Sequence, residues 1–239
     1  MENLQNPPNN EPAENAATET NKGKKTAWVS VDEWISKFRL TFTNGKLPGI
    51  LPPMKAVGYS DEKLNALLEE TNNLETLSQK QKKEYGEQYA ETEKLDLLRA
   101  NIDTTYRKHR NLARIVFKDD TKAITTLKLY ERPKTSYSGW LQLVLNFYAQ
   151  LNDSPEMLAK ATTASVNAAA VEDALAQLET LRALKKSQRK ELAEAQAATE
   201  ARDKAFDELY PKYREFVDYA KILLSDNQSL EALGIVVKR

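Results

Sequence analysis

The chain has 239 residues, 41% hydrophobic and 29% charged, and its 35 basic residues balance its 35 acidic ones. That length suits one large domain or two small ones, with enough apolar material for a core beneath a heavily charged surface. The absence of cysteine excludes disulfide frameworks, thiolate metal sites and cysteine nucleophiles, and a single histidine, His109, takes most of the ground from zinc sites and histidine-centred acid–base chemistry.

Residues 1–25 are mostly Asn, Pro, Glu, Ala, Thr and Lys. They offer almost nothing to bury and read as a disordered tail whose Lys22, Lys24 and Lys25 act as a solubilising flank. Met1-Glu2-Asn3-Leu4 lacks the basic and apolar regions of a secretory signal, and no apolar run approaches a membrane span, so a soluble cytoplasmic protein is expected. Zero net charge gives no whole-chain case for nucleic acid or an anionic membrane.

Order is expected from about Trp28. Ser30-Val31-Asp32-Glu33 reads as a capping box, and Trp34, Phe38 and Phe42 form one stripe of a short helix ended by Asn44-Gly45. Pro48, Pro52 and Pro53 predict a rigid, non-helical connector. Ser60 is a good N-cap, with Asp61 and Glu62 where the helix dipole favours them. Leu64, Leu67, Leu68, Leu74 and Leu77 follow on one face; the stripe thins from Ser78 to Lys94 and returns from Leu95 to Val116. This predicts one continuous helix of about 85 Å at 1.5 Å per residue. A hairpin turning at Gly86 is the competing reading. A short helical turn over Ala123–Leu127, an extended Lys128–Glu131 and a stop at Pro133 complete the unit.

A second unit opens the same way. Ser136 or Ser138 caps a helix carrying Trp140, Val144, Phe147 and Tyr148, Ser154-Pro155 starts another, and Asn167 caps a second long helix. Pro211 predicts a kink or break in it, and Gly234 stops a last turn over Ser229–Leu233.

These two units are an internal repeat. With a shift of 107 residues, Leu64–Asp120 aligns without a gap on Val171–Asn227, and 16 of the 57 pairs are identical, among them Leu74, Lys83, Glu84, Glu87, Tyr106 and Ile115. Ordinary composition would give about one pair in fifteen. Ala193, in place of Gly86, favours the continuous helix. Neither long helix can bury its stripe alone, and the nearest partner is the other copy. Antiparallel packing sets Leu64–Leu77 against Phe206–Leu223 and Leu98–Val116 against Leu175–Leu184, with the short aromatic helices over the two dense ends. The predicted fold is all-α: an elongated, pseudo-two-fold, coiled-coil-like bundle of two long antiparallel helices plus short Trp- and Phe-bearing ones. Its organisation is a tail at 1–25, unit 1 at 26–134 and unit 2 at 135–239. Lys80, Lys82 and Lys83 are expected near Asp203, and Arg189 and Lys190 near Asp96.

The stretch Ala113-Arg114-Ile115-Val116-Phe117-Lys118-Asp119-Asp120, with Ser138-Gly139-Trp140-Leu141, Phe147-Tyr148, and the ending Ala220-Lys221-Ile222-Leu223-Leu224 and Leu230-Glu231-Ala232-Leu233-Gly234-Ile235, resembles an uncharacterised group of bacterial helical-repeat proteins. The resemblance spans roughly residues 60–239. It implies an all-helical tandem repeat and carries over no site residues.

Several residues merit a chemical reading. His109 lies one repeat before Phe216 and reads as a packing histidine. Glu84, Glu87, Glu91 and Glu93 suggest a carboxylate-rich di-metal bundle, but the Glu-x-x-His pairs such sites use are missing, so a solvated face is expected. The Lys/Arg clusters at 80–83 and 185–190 read as mixed surface, and Trp34 and Trp140 as core anchors rather than partner contacts. No Gly-rich phosphate loop or nucleophile elbow is present. No catalytic, cofactor-binding or metal-ligating residue is assigned, and no small-molecule substrate is evident. The expected function is a non-enzymatic structural or interaction protein binding another protein or itself. The alternative is a binder of nucleic acid or another anionic surface through the Lys/Arg clusters.

Overall fold

The structure, a computed structural model, describes residues 29–132 and 134–236. The tail at 1–25, Trp28 and the stop at Pro133 lie outside the described residues. The body from Val31 onward is described by itself. Its described residues form eight helices, in order α1 (Val31–Asn44), α2 (Leu51–Ala56), α3 (Asp61–Val116), α4 (Thr121–Thr126), α5 (Tyr137–Asp153), α6 (Pro155–Thr162), α7 (Ala168–Leu223) and α8 (Asn227–Ala232). No strand occurs among the described residues. The long helices α3 and α7 have 56 residues each and start 107 residues apart. Each is about 84 Å long at 1.5 Å per residue.

The helix starts follow local chemistry. Ser60 accepts from the Lys63 amide, Ser136 from Gly139, Ser154 from Met157 and Asn167 from Ala170. Each cap satisfies one of the orphan amides of a first turn, an effect of about 1 kcal/mol. Between the two serines considered for α5, Ser136 is the cap. At the other end of the chain, Gly234 takes φ +74°, and the amides of Gly234 and Ile235 return to the carbonyls of Glu231 and Leu230. That left-handed position costs glycine nothing and closes α8.

Three local expectations are corrected. The segment carrying Pro52 and Pro53 is not a non-helical connector: both prolines sit in the first turn of α2, where no intrahelical amide partner is required and their fixed φ suits the helix. The segment 128–131 is not extended. Lys128 adopts φ +53°, the Glu131 amide bonds the Lys128 carbonyl, and the buried Arg110 donates to the carbonyls of Lys128, Leu129 and Glu131. Arg114 adds a bond to Leu129 at 2.8 Å, so two guanidinium groups on α3 fold this loop into a turn. Finally, the break considered at Pro211 does not occur: α7 is helical on both sides of it. Pro211 and Asp207, whose carbonyl loses its amide partner, are both exposed, so water can serve that carbonyl. Leu209 before the proline and Phe216 and Val217 after it are buried, which anchors the helix on both sides.

The long helices run antiparallel. Lys212 on α7 pairs with Glu70 on α3 at 2.7 Å, and Gln188 reaches Thr92 at 3.5 Å. Two separate cores result. In one, α1, α2, the start of α3, the end of α7 and α8 enclose Phe38, Phe42, Met54, Leu64, Leu74, Leu209 and Phe216. In the other, α4, α5, α6, the end of α3 and the start of α7 enclose Tyr106, Phe117, Trp140, Phe147, Tyr148, Leu178 and Leu181. Each fully buried Leu or Phe contributes about 1.5–3 kcal/mol. Between the cores lies a waist with little apolar filling. From Leu74 to Leu95 the buried residues of α3 are Ser78 and Glu84; from Leu181 to Leu209, α7 buries only Ala195 and Ala198.

The expected interhelical charge pairs are replaced by closer ones. Lys82 bonds Asp32 on α1 at 2.6 Å and Lys83 approaches Glu87 at 3.4 Å, while Asp203 is taken by Arg202. Lys190 meets Glu194 at 3.1 Å rather than Asp96. Lys83 and Lys190 each take a partner one turn away on the same helix, which needs less ordering of long side chains than a partner across the bundle, whereas Lys82 crosses to α1.

Candidate functional sites along the long helices

His109 is buried where α3 meets α5. Its Nδ1 lies 3.0 Å from the Tyr148 hydroxyl, with the two rings edge to face. Burial first, and then the Lys108 charge, lowers the imidazole pKa, while burial raises that of Tyr148. Both groups are therefore neutral at pH 7 and share a neutral hydrogen bond. Trp34 and Trp140 pack at opposite ends. Trp34 stands edge-on to Phe206, Tyr210 and Tyr213, and Trp140 donates its indole N–H to Asp103 at 2.8 Å.

The two basic clusters separate in space and in character. At 80–83, Lys82 and Lys83 are committed to acids. Across the body, Arg182, Lys185, Lys186 and Arg189 line one side of a groove of about 370 Å³ whose other wall is Tyr137, Ser138, Leu141 and Gln142. Four successive cations reach it because positions 182, 185, 186 and 189 share one face of α7. Arg182 also bonds Glu179 at 2.6 Å, outside that lining. Lys185 lies 5.4 Å over the Tyr137 ring, with Arg99 against the same ring from α3. Burial, then the charge of Arg189, pulls the Lys185 pKa down. The Tyr137 hydroxyl is buried here without a hydrogen-bond partner in the described structure. Sequence reading found the cluster at 185–190 but missed Arg182 and Tyr137. Spacing on α7 could have supplied Arg182, whereas Tyr137 comes from another helix and has no sequence signal.

At the waist, the carboxylates do not all behave as a solvated face. Glu87 and Glu93 are exposed, Glu91 is partly covered, and Glu84 is buried. Glu84 turns toward Glu191 and Glu194 of α7, and one oxygen from each of the three lies within 4.8 Å of the other two. Lys83, Glu87, Glu91, Lys94, Ser187 and Lys190 complete the walls of a cavity of about 450 Å³. Hydrogen bonds from Lys94 and then Ser187 hold the Glu91 pKa below the ordinary carboxylate value.

No helix among the described residues is long and apolar enough to cross a membrane. A scan against protein-family models, a search of curated proteins and a search of solved structures each returned no match.

Proposed function

We propose that the protein is a non-enzymatic structural or interaction protein of the cytoplasm, an internally repeated helical rod that uses its ends to engage a protein partner, itself included. The observation that carries this reading is a pair of exposed isoleucines. Ile115 and Ile222 occupy matching positions 107 residues apart, near the C-terminal ends of α3 and α7, and are 70% and 80% exposed. Because the long helices are antiparallel, these residues stand at opposite ends of the rod. Tyr130 at one end and Leu47 at the other are also exposed. Exposed apolar side chains repeated at both ends are material from which an association surface can be built. A placement beside the bacterial helical-repeat group accords with this reading.

The test compares the wild-type chain with an Ile115→Glu/Ile222→Glu double variant, by light scattering and by affinity capture from native lysate. The expected result is self-association, or a stoichiometric partner, that the double variant loses. A wild-type chain that stays monomeric and captures nothing would overturn the reading.

A second reading, an anion binder, is favoured by the groove at Tyr137, where four cations face no lining carboxylate. It predicts salt-sensitive binding of a polyanion in a gel shift at low ionic strength, weakened by Lys186→Glu/Arg189→Glu. No shift even at the lowest salt would remove it.

A further inference from the structure

The geometry points to a divalent-cation site at the waist of the rod, formed by Glu84 of α3 and by Glu191 and Glu194 of α7. Glu191 is the repeat counterpart of Glu84, and Glu194 that of Glu87. The antiparallel crossing brings this stretch of the two helices face to face, so the pseudo-two-fold axis gathers like charges from both. The three carboxylates offer oxygens within 4.8 Å of one another. Two oxygens bound to one Ca²⁺ at about 2.3–2.6 Å stand no more than about 5 Å apart, so the spacing admits an ion that touches all three.

Glu84 supplies an independent observation. It is only 9% exposed, and among the described residues its side chain makes no hydrogen bond and no ion pair. None of the nearby lysines pairs with Glu84: Lys83 meets Glu87 at 3.4 Å, Lys94 meets Glu91 at 2.7 Å, and Lys190 sits on the other two carboxylates of the cluster, Glu194 at 3.1 Å and Glu191 at 3.7 Å, where an incoming ion would displace it. Glu84 faces two further carboxylates across the cavity, a like-charge arrangement that a cation held between them would relieve. The cavity walls carry five glutamates and three lysines, leaving two net negative charges, which one divalent ion neutralises. All the donors are carboxylate oxygens, with no imidazole or thiolate among them, which selects hard cations such as Ca²⁺ and Mn²⁺ over Zn²⁺ or Cu²⁺. The ion would tie α3 to α7 where the rod has no apolar core, and so set the stiffness of its middle.

The experiment strips the full-length chain with EDTA, titrates Ca²⁺, Mn²⁺ and Mg²⁺ by calorimetry, and follows melting with and without each ion. The expected result is one ion per chain for Ca²⁺ or Mn²⁺ and a rise in Tm on binding. Glu84→Gln and Glu191→Gln each weaken binding at least tenfold, and Glu93→Gln, an exposed neighbour, leaves it unchanged. The sign of the Glu84→Gln effect on melting also reverses. In EDTA the variant melts above wild type, because one repelling charge is gone; in saturating ion it melts below. A packing role for Glu84 alone would give one sign in both buffers. Absence of binding by any of the three ions, or binding that survives both substitutions, would overturn the assignment. Far-UV circular dichroism identifies a variant that fails to fold, and the remaining variant then decides.

Discussion

The ends of the rod and its waist are made from the same two helices, yet they are held by different forces. At the ends, α3 and α7 are clothed by short helices, and aromatic rings interlock: Phe216 meets Phe42 at 5.9 Å and Tyr59 at 5.0 Å, and Tyr106 meets Phe147 at 5.4 Å. At the waist neither of the two core clusters reaches over the pair among the described residues, small alanines of α7 allow close approach, and charge is arranged around Glu84. A helix of this length therefore needs burial only at two anchored stretches. Strong helix formers carry it across the gap. Stability is concentrated where the rings are, while the waist is free to carry charge.

This contrast is broken first by substitution in an end core. Phe216→Ala removes a fully buried ring that also touches the space over Gly45, where an added Cβ would come within 2.9 Å of it. A loss of about 3–5 kcal/mol is expected in urea denaturation. A loss below about 1 kcal/mol would mean that the aromatic end is not what anchors the helices. The opposite sign is expected at the waist. Gly86 is helical and exposed, and a Cβ added there meets nothing within 4 Å. Gly86→Ala should stabilise the chain by about 0.5–1 kcal/mol through helix propensity alone, and a destabilisation would show that the waist is packed after all.

The smallest effect is the pH dependence carried by His109. Because its folded pKa lies below the ordinary value of 6.5, the unfolded chain binds the proton more readily. Its contribution is complete above pH 6.5 and is lost as pH falls through the lowered folded pKa. A proton NMR titration of this single imidazole should give a midpoint below 6.5, and His109→Phe, the residue at the matching position 216, should flatten that part of the stability profile. A midpoint at or above 6.5 would contradict a buried, neutral imidazole.

Much of this architecture is legible in the residues. The 107-residue register places α3 and α7, the serine and asparagine caps place their starts, and the dense leucine and aromatic stretches mark the two cores. The misread segments have a common cause. Prolines 52 and 53 were compatible with a connector or with a first helical turn, and only the neighbouring packing of Met54 and Tyr59 in the core chooses the turn. Residues 128–131 have no strong local preference, so the guanidinium groups of Arg110 and Arg114, about four turns back along the chain, shape them. The Tyr137 groove and the Glu84 cluster were only half visible, because each joins side chains from helices far apart in sequence.

The sequence by itself determined the two long helices, their lengths, their caps and the two places where they must be buried, since these depend on periodicity, propensity and neighbours within a turn or two. The tertiary structure alone decided that Glu84 leaves solvent to face Glu191 and Glu194, that Lys82 turns to Asp32, and that a polar waist separates two cores. Those outcomes depend on which faces of α3 and α7 meet, and helix rotation and crossing are set by side-chain packing across the interface rather than by any local signal.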